Sequence, residues 1–393
     1  MTAVLSRRDL LRSGAALGGW LIAGDLLVAC GGPASQADSG RVRFGFISAY
    51  GGSQQQRRQI ERNSLDLAVA EMNAQGGVGG RPVDVVQDLH GPVDGQITRL
   101  FQDQGVDAVI GSVAAADHDR ALAAVARQGG LLMVTSTQPA GDCSGSLVCA
   151  GAVAAQQAPA MLDWVFKNVG HRVYLLAMND RWSAASVAAV RAALQRHHQA
   201  PMAVRTMRSL GDDLQPAIAD IVKKNPDVVW SLLDLDNAVD FATTVGSSDV
   251  HALVVSSAWD ELLASQHPGL LGGSLTSQAW FMSLDTPESR RFVSSYQHRF
   301  GAAPLNAGAE ATYVAAQLYG RAAESAGTKA VDGVRAHLAS VELQAPRGAV
   351  RVDSATRAAV GGAYVGQVTG HGTIDVHDRL GRPPPSATRC GSR

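Results

Sequence analysis

Two hydrophobic periods take turns along most of this chain. Arg41-Val42-Arg43-Phe44-Gly45-Phe46-Ile47 reads as a strand. The stretch 58–75 follows with a period near 3.6, placing Leu65, Ala68, Val69 and Met72 on one helical face. Strands over 82–87, 107–111 and 131–135 then alternate with helices over 96–104 and 121–128. Alternation at this spacing predicts a parallel sheet covered by helices on both faces.

The pattern then restarts. Helices over 161–169, 186–197, 214–224 and 238–245 interleave with strands over 172–178, 202–208, 227–233 and 252–257. Two successive α/β units of similar length predict two similar lobes, each doubly wound. Helices over 288–300, 309–326 and 331–339 come next, then short strands around 348–352 and 363–375. Pro383-Pro384-Pro385 ends the ordered pattern.

Composition narrows the function. The chain has 393 residues, long enough for two lobes with good cores. A net charge of −1, with no basic stripe, argues against a nucleic-acid partner. The 42 glycines and heavy alanine usage suit close α/β packing.

The first thirty residues read as an address. Arg7-Arg8 precede a weakly apolar run ending in Leu27-Val28-Ala29-Cys30. That run is short, Gly-rich and interrupted by Asp25, so it predicts a signal peptide over 1–29 rather than a membrane span. The paired arginines resemble the twin-arginine export signal, and Leu-Val-Ala-Cys resembles the bacterial lipobox. Cys30 is the expected acylation site, anchoring the protein to the outer face of a cell membrane through a tether over 30–40. In an exported protein, Cys143 and Cys149 are spaced for a local disulfide; two buried thiols are the alternative. Cys390 lies in a tail over 383–393 with no evident partner.

Chemistry-bearing motifs are scarce. Gly76-Gly77-Val78-Gly79-Gly80 follows a helix and precedes a strand, the reverse of a phosphate loop; a helix cap and turn is the reading. The eleven histidines show no metal spacing, and no nucleophile elbow occurs. No enzyme, metal or cofactor is implied. Candidate residues follow instead from position, because open α/β lobes bind ligands beyond the carboxyl ends of their strands. Those ends carry Tyr50, Ser112, Ala114, Ala115, Val134, Thr135, Ser136, Thr137, Gln138, Trp182, Asp236 and Trp259. Small hydroxyls suit a carboxylate, amide or urea oxygen; Tyr50, Trp182 and Trp259 are placed to stack on a small ligand.

Several runs carry a resemblance. Glu71-Met72-Asn73-Ala74-Gln75-Gly76-Gly77-Val78-Gly79-Gly80-Arg81-Pro82-Val83 looks like the helix–turn–strand signature of type I periplasmic binding proteins of the branched-chain amino-acid, amide and urea group. Ser283–Val293, Ala309–Tyr313, Gly320–Ala323 and Ala345–Val352 add to it, and the likeness spans about 41–380. Within that group the runs look most like the cytosolic amide sensor that controls aliphatic amidase expression. The resemblance implies two lobes joined by a three-crossover hinge: 41–153 plus 281–345, and 154–280 plus 346–382. It maps binding loops onto Ser112–Ala115, Val134–Gln138, Asp180–Trp182 and Trp259. The sensor's tyrosines are replaced here by Val134, Gln138, Cys143, Cys149 and Asp180, with Trp182 the aromatic kept, so a larger or more polar pocket is expected. The implied role is capture of a small polar solute for an ABC permease; a ligand sensor signalling to a partner protein is the alternative.

Overall fold

The computed structural model describes residues 40–138, 144–208, 214–270 and 272–383. The expected leader with Cys30, the tether through residue 39, Cys143 and the tail from residue 384 with Cys390 lie outside the described residues. No described helix is long and apolar enough to cross a membrane.

The first lobe is a five-stranded parallel sheet in the order β2-β1-β3-β4-β5. Its strands are β1 (Val42–Ile47), β2 (Val83–Gln87), β3 (Ala108–Gly111), β4 (Leu132–Val134) and β5 (Leu147–Cys149). α1 (Gln55–Ala74), α2 (Val93–Gln102) and α3 (His118–Arg127) connect the first four. β1 is buried because it is central: Phe44 pairs with Val85 on one side and Ala108 on the other. The Gly-rich run after α1 is a turn. Gly77 adopts φ +82°, and a Cβ there would meet the Arg81 carbonyl oxygen at 2.0 Å, so only glycine closes it.

The second lobe holds α4 (Ala154–Asn168), β6 (Val173–Met178), α5 (Arg181–Arg196), β7 (Ala203–Met207), α6 (Gln215–Lys224) and β8 (Val228–Leu232). α7 (Leu235–Gly246), β9 (Leu253–Ser256), α8 (Glu261–Gln266) and β10 (Leu275–Gln278) complete its α/β run. The chain then returns to the first lobe with α9 (Pro287–Phe300), α10 (Ala307–Ala326) and α11 (Val331–His337). A small antiparallel sheet follows: β11 (Glu342–Ala345), β12 (Gly348–Val352) and β13 (Ala359–Val360). β14 (Ala363–Val368) and β15 (Ile374–Gly381) add antiparallel strands to the second lobe, giving the order β15-β14-β10-β9-β8-β6-β7.

Three segments therefore cross between the lobes: β5 to α4, β10 to α9, and β13 to β14. The third crossing falls later than the sequence predicts. Val350, Val352 and Ala359 bury against Phe44 and Tyr319, so residues 346–360 pack with the first lobe. The expected strand over 363–375 is a hairpin, turned at Gly372 with φ +80°. A separate apolar cluster spans the lobe boundary, joining Ile60 and Leu67 of α1 to Trp259, Leu262, Trp280, Phe281 and Tyr296.

Candidate functional site

The carboxyl ends of both sheets face one cleft of about 430 Å³. The first lobe lines it with Ala49 and Tyr50 after β1, Val113–Ala115 after β3 and Thr135–Thr137 after β4. The second lobe contributes Asp180 and Trp182 after β6, Asp234–Asp236 after β8 and Ser257, Ala258 and Asp260 after β9. Arg57 and Glu61 of α1 and Asn306–Gly308 at the start of α10 also line it.

The acidic residues sit where strand-to-helix turns put them. Asp180 caps α5 by accepting from the Ser183 N–H at 2.8 Å, and Asp234 caps α7 by accepting from Asn237 at 3.1 Å. Asp260 caps α8 through Leu263 N–H at 3.0 Å, and Asn306 caps α10 through Ala309 N–H at 3.0 Å.

At the back of the cleft, charge is concentrated and dry. Arg57 and Glu61 lie four residues apart on one face of α1, and both are buried. Arg57 pairs with Asp260 of the other lobe; its Nη2 donates to Asp260 Oδ1 at 3.2 Å. Asn306 Nδ2 donates to Asp260 Oδ2 at 3.0 Å. The Arg57 guanidinium also lies 5.3 Å from the Tyr50 ring centre. Burial alone would raise the Asp260 carboxyl; the Arg57 charge, its hydrogen bonds and those from Leu263 and Asn306 hold it below its ordinary value. Glu61 goes the other way. Burial pushes it up to about 7, against the bond from Ser112 and the attraction of Arg57. Tyr50 is raised well above its ordinary value, chiefly by burial and then by Glu61.

The two walls touch at the mouth. Trp182 Nε1 donates to the Thr137 carbonyl at 3.2 Å, Arg181 pairs with Asp119, and Gln54 Nε2 donates to Asp236 at 3.4 Å. Each contact joins one lobe to the other, so the geometry is a closed clamp.

These features fit one family, and the match decides it: the periplasmic binding protein model covers residues 41–373. The chain belongs to the periplasmic binding protein family. Solved structures agree on the type I fold. A solute binding protein of an ABC transporter from R. palustris, in complex with benzoate, is 17% identical with a TM-score of 0.73, covering 90% of this chain and 100% of that one. LivJ, the branched-chain amino acid transporter substrate binding protein from Streptococcus pneumoniae, in complex with isoleucine, is 18% identical with a TM-score of 0.75, covering 87% and 100%. An amino acid ABC transporter substrate-binding protein from Pseudomonas fluorescens Pf-5 is 16% identical with a TM-score of 0.76, covering 89% and 98%.

In this periplasmic binding protein the cleft gathers eight of the residues expected from sequence: Tyr50, Ala114, Ala115, Thr135, Ser136, Thr137, Trp182 and Asp236. Four others do not line it. Ser112 is buried behind the wall, donating to Glu61 Oε2 at 2.9 Å and accepting from Ala49 N–H. Val134 is the last residue of β4 and packs with Ile47 and Val109 in the core. Gln138 is buried, its amide turned back to Ser136. Trp259 is wholly buried in the cluster at the lobe boundary, because the chain after β9 turns inward before α8 begins. Arg57, Glu61 and Asn306 were not expected. Residues 57, 61 and 64 share one face of α1 with Ile60 and Leu65, but only Asp260 of the opposite lobe shows that Arg57 and Glu61 on it are buried at the cleft. Among the described residues no three His, Cys, Asp or Glu side chains are grouped to hold a metal.

Proposed function

We propose that this protein is an extracytoplasmic solute-binding lipoprotein that captures a small polar solute between its lobes for an ABC permease. An amide, urea or amino-acid-like molecule is the class expected. The observation that carries the reading is the cleft itself: about 430 Å³, lined from both lobes and closed by contacts across its mouth. A ligand touching both walls stabilises the closed form by its differential affinity for that form. The family and the transport-linked names of its structural relatives support the same role. Cys30 anchors the protein in this account, and Tyr50, Thr135–Thr137, Trp182 and Asp236 contact the solute.

A thermal-shift screen of the chain against amides, urea, amino acids and the corresponding amines tests the capture step. A ligand at a hundred times its Kd adds about 2.7 kcal/mol of stability, visible as a rise in Tm. No rise with any solute in those classes contradicts the reading. Mass spectrometry of the native protein tests the anchor: an unmodified Cys30 in an uncleaved chain contradicts it.

A further inference from the structure

The charge balance of the cleft narrows the solute. Among the described residues, Glu61, Asp180, Asp234, Asp236 and Asp260 line it, against a single cation, Arg57. That cation is already neutralised by Asp260 across the lobe boundary. Two of the hydroxyls are engaged, Ser112 with Glu61 and Ser136 Oγ with the Val113 carbonyl at 3.2 Å, while the buried Thr135 Oγ1 has no partner among the described residues and supplies a neutral polar contact but no counter-charge. A carboxylate entering this cleft meets like charge without a free counter-ion, a juxtaposition that costs several kcal/mol in general.

Glu61 differs from the other four carboxylates. It is 1% exposed yet lines the cleft, and it caps no helix. Ser112 donates to its Oε2 at 2.9 Å, and Ser48 bonds the same carboxyl. Its Oε1 lies beside Gly308, where a Cβ would stand 2.8 Å away. A side chain at 308 would close off that oxygen; glycine leaves it open. The groups around Glu61 are Arg57 on its own helix, Tyr50 from the loop before α1, Asp260 from the second lobe, and the hydroxyls of Ser48 and Ser112.

We propose that the solute carries an organic ammonium group and no carboxylate, and that Glu61 is the residue that reads it, with Asp236 adding negative charge from the other wall. This rests on the cleft being the solute site. Burial keeps Glu61 protonated in the empty cleft up to about pH 7. Pairing with an ammonium requires the carboxylate, so the carboxyl proton leaves to solvent as the ion pair forms. Binding therefore strengthens as pH rises through that value.

Calorimetric titration with four probes of similar shape tests this: isoamylammonium, isovaleramide, isovalerate and leucine. Isoamylammonium is expected to bind at least about tenfold tighter than isovalerate, since only the latter meets like charge. Its binding at about pH 6 should release a proton, read as a heat that varies with the ionisation enthalpy of the buffer, and release should vanish at about pH 8. Glu61→Gln should abolish the release and weaken isoamylammonium binding at least about tenfold, while isovalerate, still facing the aspartates, gains little. Tighter binding of isovalerate, isovaleramide or leucine than of isoamylammonium overturns the proposal and leaves the solute-binding reading standing. So does a folded Glu61→Gln variant with unchanged proton release. If that variant does not fold, the wild-type probe series and proton release decide alone. If none of the four probes binds, the ammonium reading fails, and the thermal-shift screen decides the solute-binding reading by itself.

Discussion

Arg57 and Asp260 meet across the lobe boundary as a buried ion pair, α1 of one lobe against the cap of α8 in the other. Removing one partner leaves the other buried and unpaired, which costs about 3–5 kcal/mol where it has been measured. Asp260→Ala is therefore expected to lower stability by about that amount, and chemical denaturation reads it. Replacing both partners with apolar residues of similar volume should recover most of the loss. Equal loss in the single and double variants would mean that packing, not charge, explains the effect.

The two tryptophans expected at the cleft should now behave differently. Trp182 lines the mouth, half-buried, so Trp182→Ala should weaken solute binding by about 1.5–3 kcal/mol, the scale of burying one large side chain, with a small change in Tm. Trp259 is wholly buried, so Trp259→Ala should cost about 3–5 kcal/mol of stability through a cavity. Differential scanning calorimetry with and without solute separates the two. A stable Trp259→Ala variant with lost binding would return that side chain to the site.

Stability should fall between about pH 5 and pH 8. Glu61 and Glu261 are raised by burial to about 7 and about 8 in the folded protein. Above the ordinary glutamate value the unfolded chain has released these protons while the folded chain retains them. Stability is thus complete below that value and is lost as pH rises through the folded values. Glu261→Gln should flatten the upper part of the decline and raise Tm near pH 8. A Tm that is flat or rising over this range in the wild type contradicts the assignment.

Cys149 is buried at the end of the first sheet, in β5. The disulfide with Cys143 proposed from their spacing and export should appear in non-reducing peptide mapping as one linked peptide. Alkylation of both cysteines without prior reduction would rule it out.

The doubly wound lobes were legible because βα alternation is a long-range repeat that no single residue spoils. Phe44 and Phe46 in β1, and Leu65, Ala68, Val69 and Met72 in α1, announce their burial by period alone. β5 and β10 were missed: β4 and β9 are as short but stand at regular βα spacing, whereas β5 follows β4 with no described helix between and β10 follows the six-residue α8. Position after a strand end located Thr135–Thr137 and Asp236 at the cleft, since that rule depends only on topology. It failed for Trp259, because whether a loop side chain faces the cleft or the core depends on how the lobes pack. Arg57 and Glu61 were hidden for a different reason. They reach the cleft from within a helix, where a charged residue reads as solvent-facing until the opposite lobe supplies Asp260.

The central claim is that a small solute binds in the cleft between the lobes. Ala115 is exposed and lines that cleft, so Ala115→Trp fills space there without disturbing the core. The direct test is a calorimetric titration of this variant beside the wild type, with whichever solute raises Tm most. The account predicts one-to-one binding to the wild type and none to Ala115→Trp, with unfolding midpoints unchanged. Equal affinity in both proteins would contradict it.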